Sequence, residues 1–185
     1  MAVRDILRMG HPTLRKKSEP IGIHDVSSSK IQNLINDLSD TLEASGGIGL
    51  AAPQIGELVR IVIVKIPKGS SSYGELEALP LTVFINPIIT PVGQEQKSHW
   101  EGCLSVPGLR GLVSRPQNIQ LRYYDSEKKE TSLKVEGFLS TVLQHECDHL
   151  DGTLYLDRLS DTKDLSFEEE FLEYNLNSEI TCRLD

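Results

Sequence analysis

The chain has 185 residues, 38% of them apolar, which suits one domain with a real core and is unlike a low-complexity or membrane chain. With 19 Lys and Arg against 27 Asp and Glu, the formal charge is −8, which argues against sequence-independent binding to nucleic acid or to an anionic membrane. Met1–Arg8 lacks the apolar core of a secretory signal, and the longest hydrophobic stretch, Ile61–Val64, is far too short to cross a bilayer. The reading is a cytoplasmic protein with a single domain over residues 1–185.

Residues 1–25 are irregular, punctuated by His11-Pro12 and Glu19-Pro20. Ile31, Leu34, Ile35, Leu38 and Leu42 then repeat with a helix period. One of Ser27, Ser28 and Ser29 caps the start, and Gly46-Gly47 stop the helix near Ala44-Ser45. Leu58–Lys65, rich in Val and Ile, is predicted to be a strand, and 67–80, with its serine run and two glycines, an exposed loop. Leu81–Ile85 is a second strand, stopped by Asn86-Pro87. Val92–His99 follows no clear pattern. Asn118–Tyr124 alternates, with Ile119, Leu121 and Tyr123 on one face. Asp125–Lys129 is a charged turn, and Thr131–Val135 returns as the hairpin partner. Glu136-Gly137 opens a helix that runs to about Leu150 and is closed by Asp151-Gly152. Ser166 with Glu169 forms a capping box for a last helix carrying Phe167, Phe171 and Tyr174.

The chemistry concentrates in Gln144-His145-Glu146-Cys147-Asp148-His149. Two imidazoles four apart share one helix face, so both can reach one metal ion; the pattern is HExxH. By itself the pair also fits two ordinary helix histidines. Cys103, in Glu101-Gly102-Cys103-Leu104-Ser105, supplies a third ligand as thiolate, and Gly102 permits close backbone approach. Two histidines and one thiolate leave a coordination position open, as a catalytic site requires. Glu146 is then the proton shuttle. Asp148 points elsewhere and anchors backbone or loop. His99, four residues before Cys103, is a weaker rival ligand and fits the cleft rim better. Cys147 is a small buried hydrophobe, Cys182 has no assigned role, and three sparse cysteines make a poor disulfide framework. Upstream, Gly47-Ile48-Gly49-Leu50-Ala51-Ala52-Pro53-Gln54 fits either a packed small-residue turn or the close approach of an extended ligand. Gln54 is either a loop residue or an amide donor facing developing negative charge.

These three stretches, in this order, resemble the signatures of the peptide deformylase family, and the resemblance extends over about residues 5–160. It implies removal of the formyl group from the N-terminal methionine of nascent polypeptides. It implies an α+β fold in which mixed, mostly antiparallel sheets surround a central helix carrying HExxH. It implies one divalent metal ion per chain, natively Fe(2+), with Zn(2+), Ni(2+) or Co(2+) able to take the site. Cys103, His145 and His149 match the ligands, and Glu146 matches the acid/base. Gln54 (through its side-chain amide) and Leu104 (through its backbone N–H) match the oxyanion donors. Gly49 matches a backbone contact to substrate, and Glu101 and Arg110 match residues near the cleft. Ile48, Phe138, Thr141 and Val142 fall where the family lines its methionine pocket. His99 stands where many relatives carry an aliphatic residue, and Thr141 is more polar than usual, which bears on pocket width and polarity. The Asp125–Lys129 turn lacks the common glycine, and the 67–80 loop and acidic tail depart from the minimal pattern. The implied partners are N-formylmethionyl nascent peptides and, transiently, the ribosome, with no specific nucleic acid and no membrane. A zinc endopeptidase explains HExxH but not Cys103; a silent peptide-binding relative does not explain the joint presence of Gln54, Cys103, His145, Glu146 and His149.

Overall fold

Ser28 sets the first helix. Its Oγ accepts from the Ile31 N–H at 3.4 Å, and α1 (Ser29–Ser45) runs until Gly46, whose φ of 70° is cheap only for glycine. This computed structural model describes residues 2–71, 74–76 and 78–175; the acidic tail and Cys182 lie outside the described residues. After α1 come β1 (Gly49–Ala51) and β2 (Ile61–Ile66), then β3 (Gly69–Ser71) and β4 (Gly74–Leu76), which pair with each other in the stretch expected to be loop. Next are β5 (Leu79–Pro91), β6 (Gln96–Cys103), β7 (Val106–Pro116), β8 (Asn118–Tyr124) and β9 (Glu130–Glu136). The second helix, α2 (Gly137–Leu150), follows, and β10 (Leu165–Phe167) comes near the end.

β1, β2, β5, β8 and β9 form one sheet in that order, and β10, β7 and β6 form a second. The β2 run Ile61–Val64 is buried on both faces. Ile61 and Ile63 face α1 through Leu34, Leu38 and Leu42, whereas Val62 and Val64 pack with Val142, Leu143 and Leu150 of α2. A strand covered on both sides must be apolar throughout, which is why this segment lacks the alternation of β8. Val106 and Val113 of the second sheet close a smaller cluster with Leu154 and Tyr155.

Two features of the expected arrangement are corrected. The sheets are not mixed: every pairing between the named strands is antiparallel, and the one parallel contact among the described residues is an isolated bridge between Glu19 and Val59. Parallel neighbours need a long crossover, usually a helix, and no α-helix joins neighbouring strands of the five-stranded sheet. Nor is the metal-competent cluster a contiguous helical HExxH. It is Cys103, His145 and His149, with its thiol delivered by the end of β6. A helix presents two residues four apart on one face but cannot supply a further donor from the same turn, so the third must come from a packed neighbour.

Smaller departures have local causes. β5 continues through Asn86-Pro87 as a bulge, with Asn86 at a φ of 51°. The Asn86 side chain accepts from the Ile21 N–H at 2.8 Å and donates to the Ile21 carbonyl at 2.7 Å, so a tertiary clamp overrides the stop signal. In the Asp125 turn, Lys128 takes the left-handed position at a φ of 69°. Asp125 Oδ1 accepts from the Glu127 and Lys129 N–H groups, both at 2.9 Å, which offsets the missing glycine. Ser166 caps no helix: it lies in β10, and its Oγ donates to the Phe167 carbonyl at 3.0 Å. A short helical turn, Glu168–Glu170, follows and continues as π-helical Phe171–Asn175.

Candidate active site and metal centre

The helix period of α2 puts His145 and His149 side by side, ring centroids 5.1 Å apart. β6 delivers Cys103 to them, with Sγ 3.3 Å from His149 Nε2, and one donor atom from each of the three residues lies within 4.8 Å of the others. The register of β6 against β7 shifts between Glu101 and Cys103, and the two side chains serve neighbouring histidines. Such irregularities re-aim side chains at strand ends.

Glu101 fixes His145. Its Oε2 accepts from His145 Nδ1 at 2.7 Å, which leaves Nε2 to face an ion. The buried Arg115 guanidinium donates to the same carboxylate at 2.5 and 3.0 Å, and to Asp148 Oδ2 at 2.9 Å. Arg158 donates to the other side of Asp148 at 2.6 Å. Asp148 thus anchors side chains of β7 and the segment after α2. Burial opposes the charged form of Glu101, but the His145 and Arg115 hydrogen bonds outweigh it and hold this carboxyl below its ordinary value. Burial also opposes charge on His145, yet hydrogen bonds to Cys103 and Glu101 raise it well above the usual imidazole value. Burial, with His145 nearby, holds His149 well below that value, in the neutral form that ligates metals.

Glu146 lies beside the cluster, buried against β1. Gly49 makes this possible: a Cβ there would sit 2.7 Å from Glu146 Cδ. Burial pushes the Glu146 carboxyl up to about 7. Its Oε2 and His149 Nδ1 are buried without a hydrogen-bond partner among the described residues. Such orphan atoms call for a group from outside the chain, and two imidazoles with a thiolate suit a divalent ion of borderline softness. Gln54 approaches from the opposite wall, in a turn that follows β1. Its Oε1 accepts from the Ala51 N–H at 2.8 Å, which turns Nε2 toward Ser105 Oγ at 3.2 Å and Cys103 Sγ at 3.7 Å. Leu104 occupies the tight turn between β6 and β7 and packs toward α1.

A cleft of about 490 Å³ opens over the cluster, lined by Gly47, Gly49, Gln54, Leu104, Arg110 and Glu146 among others. Arg110 lies against Gly102 and pairs with Glu168. A smaller pocket of about 50 Å³ is lined by Ile48, Phe138, Thr141 and Val142, and also by Glu101, His145 and Glu146. His99 does not line it; it stands behind Phe138, ring centroids 5.5 Å apart, and bonds Gln117.

A family model described as polypeptide deformylase matches residues 3–165. The chain belongs to the polypeptide deformylase family. It is 48% identical over 170 residues to a peptide deformylase 1 of Prochlorococcus marinus, covering 92% of this chain and 88% of the relative. It is 42% identical to a peptide deformylase of Leptospira biflexa, covering 92% and 95%. Among solved structures, the peptide deformylase of Ehrlichia chaffeensis superposes with a TM-score of 0.76 at 36% identity, covering 88% of this chain and 91% of that one. A class I type b peptide deformylase from Acinetobacter baumannii superposes at 0.79 with 28% identity, covering 86% and 100%. This deformylase is a metal-dependent enzyme that removes the N-formyl group from nascent chains.

Arg115, Ser105, Gln117 and Tyr155 escaped the sequence reading, although each touches the site or its supports. Tyr155 stacks on His145 at 6.0 Å and donates to the Leu109 carbonyl at 3.1 Å. In the structure β7 turns Gly111, Val113 and Arg115 inward, which makes Arg115 a charge at a core position that no apolar alternation in the sequence marks. Gly49→Ala is an informative variant of this deformylase. The added methyl has to displace Glu146, so metal content is expected to stay near one ion per chain while turnover drops by about 10²-fold, the scale of an ångström-sized misplacement. Metal analysis beside a formate assay checks both halves.

Proposed function

We propose that residues 1–185 act as one catalytic domain in the cytoplasm, hydrolysing the formamide of N-formylmethionyl peptides during transient association with the ribosome. Cys103, His145 and His149 would hold the ion, with Fe(2+) as the native occupant and Zn(2+), Ni(2+) or Co(2+) as replacements. When bound, it supplies Lewis-acid activation of water and of the formyl oxygen. The observation that carries the reading is one cleft lined by Gln54, Cys103, His145 and Glu146, with Gln54 Nε2 3.7 Å from Cys103 Sγ in the three-residue cluster.

In this reading Gln54 and the Leu104 N–H donate to the oxygen that gains charge as water adds to the formyl carbon. The Ala51 N–H holds Gln54 Oε1, which keeps Nε2 on the side of the cluster, where it can donate as the charge develops. Glu146 takes the proton from water and passes it to the departing nitrogen. The C–N bond breaks, leaving formate and a free amine. Ile48, Phe138, Thr141 and Val142 receive the methionine side chain, while Gly49, Glu101 and Arg110 border the path of the peptide and His99 backs the pocket. No helix among the described residues is long and apolar enough to cross a membrane.

The direct test is formate release from a formyl-Met tripeptide, set against cleavage of an unformylated peptide. Internal cleavage without formate release would point to an endopeptidase instead. Iron as the native ion carries its own expected result. Iron-loaded protein should lose activity in air and keep it anaerobically, with Cys103 oxygenation visible as added mass in its peptide; zinc-loaded protein should be less sensitive. Equal air stability of the two forms would remove the case for iron.

A further inference from the structure

Behind the small pocket, three buried polar side chains form a chain: His99, Gln117 and Thr141. Its proton directions follow from one backbone carbonyl. The Arg115 carbonyl oxygen can only accept, and it lies 3.0 Å from one end of the Gln117 amide, so that end is Nε2. The same nitrogen donates to Thr141 Oγ1 at 3.5 Å, and Oε1, at the other end, accepts from His99 Nε2 at 3.3 Å. Thr141 is therefore an acceptor within the chain, and its own hydroxyl hydrogen is left over. A helical threonine ordinarily donates that hydrogen to the carbonyl four residues back, as Thr41 does to Asp37 at 2.6 Å. Thr141 makes no such bond, and no hydrogen bond donated by its hydroxyl occurs among the described residues. Its side chain lines the pocket of about 50 Å³ beside Ile48, Phe138 and Val142. A buried hydroxyl hydrogen without a bond, set among Ile48, Phe138 and Val142, is costly until an acceptor arrives.

We infer that Thr141 makes this pocket favour a first side chain that carries a hydrogen-bond acceptor near its sulfur position. The thioether of methionine is a weak acceptor, the sulfoxide of oxidised methionine adds a strongly polar oxygen, and norleucine offers nothing. The enzyme then processes chains whose initiating methionine has been oxidised, which an all-aliphatic pocket would reject. The inference rests on the pocket assignment proposed above and adds a specificity-determining role for Thr141 to it.

The experiment measures formate release by metal-loaded enzyme from three formyl peptides that differ only in the first residue: methionine, methionine sulfoxide or norleucine. Wild type, Thr141→Val and Thr141→Ser are compared. Valine keeps the shape and removes the hydroxyl; serine keeps the hydroxyl. The sulfoxide-to-norleucine ratio of kcat/KM is expected to fall by about tenfold in Thr141→Val, the scale of one lost hydrogen bond, and by less than about threefold in Thr141→Ser. An unchanged ratio in Thr141→Val, or an equal fall in Thr141→Ser, overturns the inference. Should the valine protein not fold, Thr141→Ala supplies the hydroxyl-free arm with the same criteria. Formate released with flat ratios removes only the role of Thr141, whereas no formate from any peptide removes the deformylase assignment of the site.

Discussion

A Cys103→Ala protein is expected to lose metal and turnover together. The thiol is the only donor of the cluster that comes from outside α2, and without it two imidazoles 5.1 Å apart face a cleft with no anionic ligand. Removing the thiolate takes away the soft, charged member of the set, the one that best holds a borderline ion. Serine is not expected to rescue, because a neutral hydroxyl is a poor substitute. Metal quantification after dialysis, set beside the formate assay, decides the matter. Full occupancy with near-normal turnover in Cys103→Ala would reject the three-ligand centre outright.

Glu146→Gln is expected to separate what Cys103→Ala combines. The amide keeps the shape of the carboxylate beside Gly49 but cannot carry a proton between water and nitrogen. Metal content should stay near one ion per chain while turnover falls by at least ~10²-fold, the usual contribution of a positioned general base. The carboxyl lies against Gly49 with Oε2 unbonded, so the substitution breaks no hydrogen bond among the described residues at that atom. Loss of metal in step with activity would move Glu146 into the coordination shell.

Much of this centre was legible because its chemistry is local in sequence. His145 and His149 share a face by the helix period alone, and α1 follows from five apolar positions, a serine and a glycine. What could not be read depends on contacts between distant segments. Cys103 was assignable as a ligand, but its route to α2 depends on the pairing of β6 with β7, and β7 carries no plain alternation because Arg115 sits at an inward position. The clamp between Asn86 and Ile21 turns an apparent strand end into a bulge. Glu101 reads as a cleft residue, yet its carboxylate is committed to His145 and Arg115, partners 44 and 14 residues away. His99 follows the same logic: its neighbour is Gln117, whose side chain faces inward from the segment joining β7 and β8.

The origin of the three donors has a bearing on how the chain holds together. Cys103 belongs to the second sheet, and the histidines belong to a helix that packs on the first. An ion joining Cys103 to His149 ties together positions 46 residues apart, much as a cross-link would. In the unfolded chain those ends wander freely, and bringing them together has an entropic cost that grows slowly with the length between them. Part of the affinity for an ion held by these residues would therefore be folding free energy, and such an ion would rivet one layer of the molecule to the other.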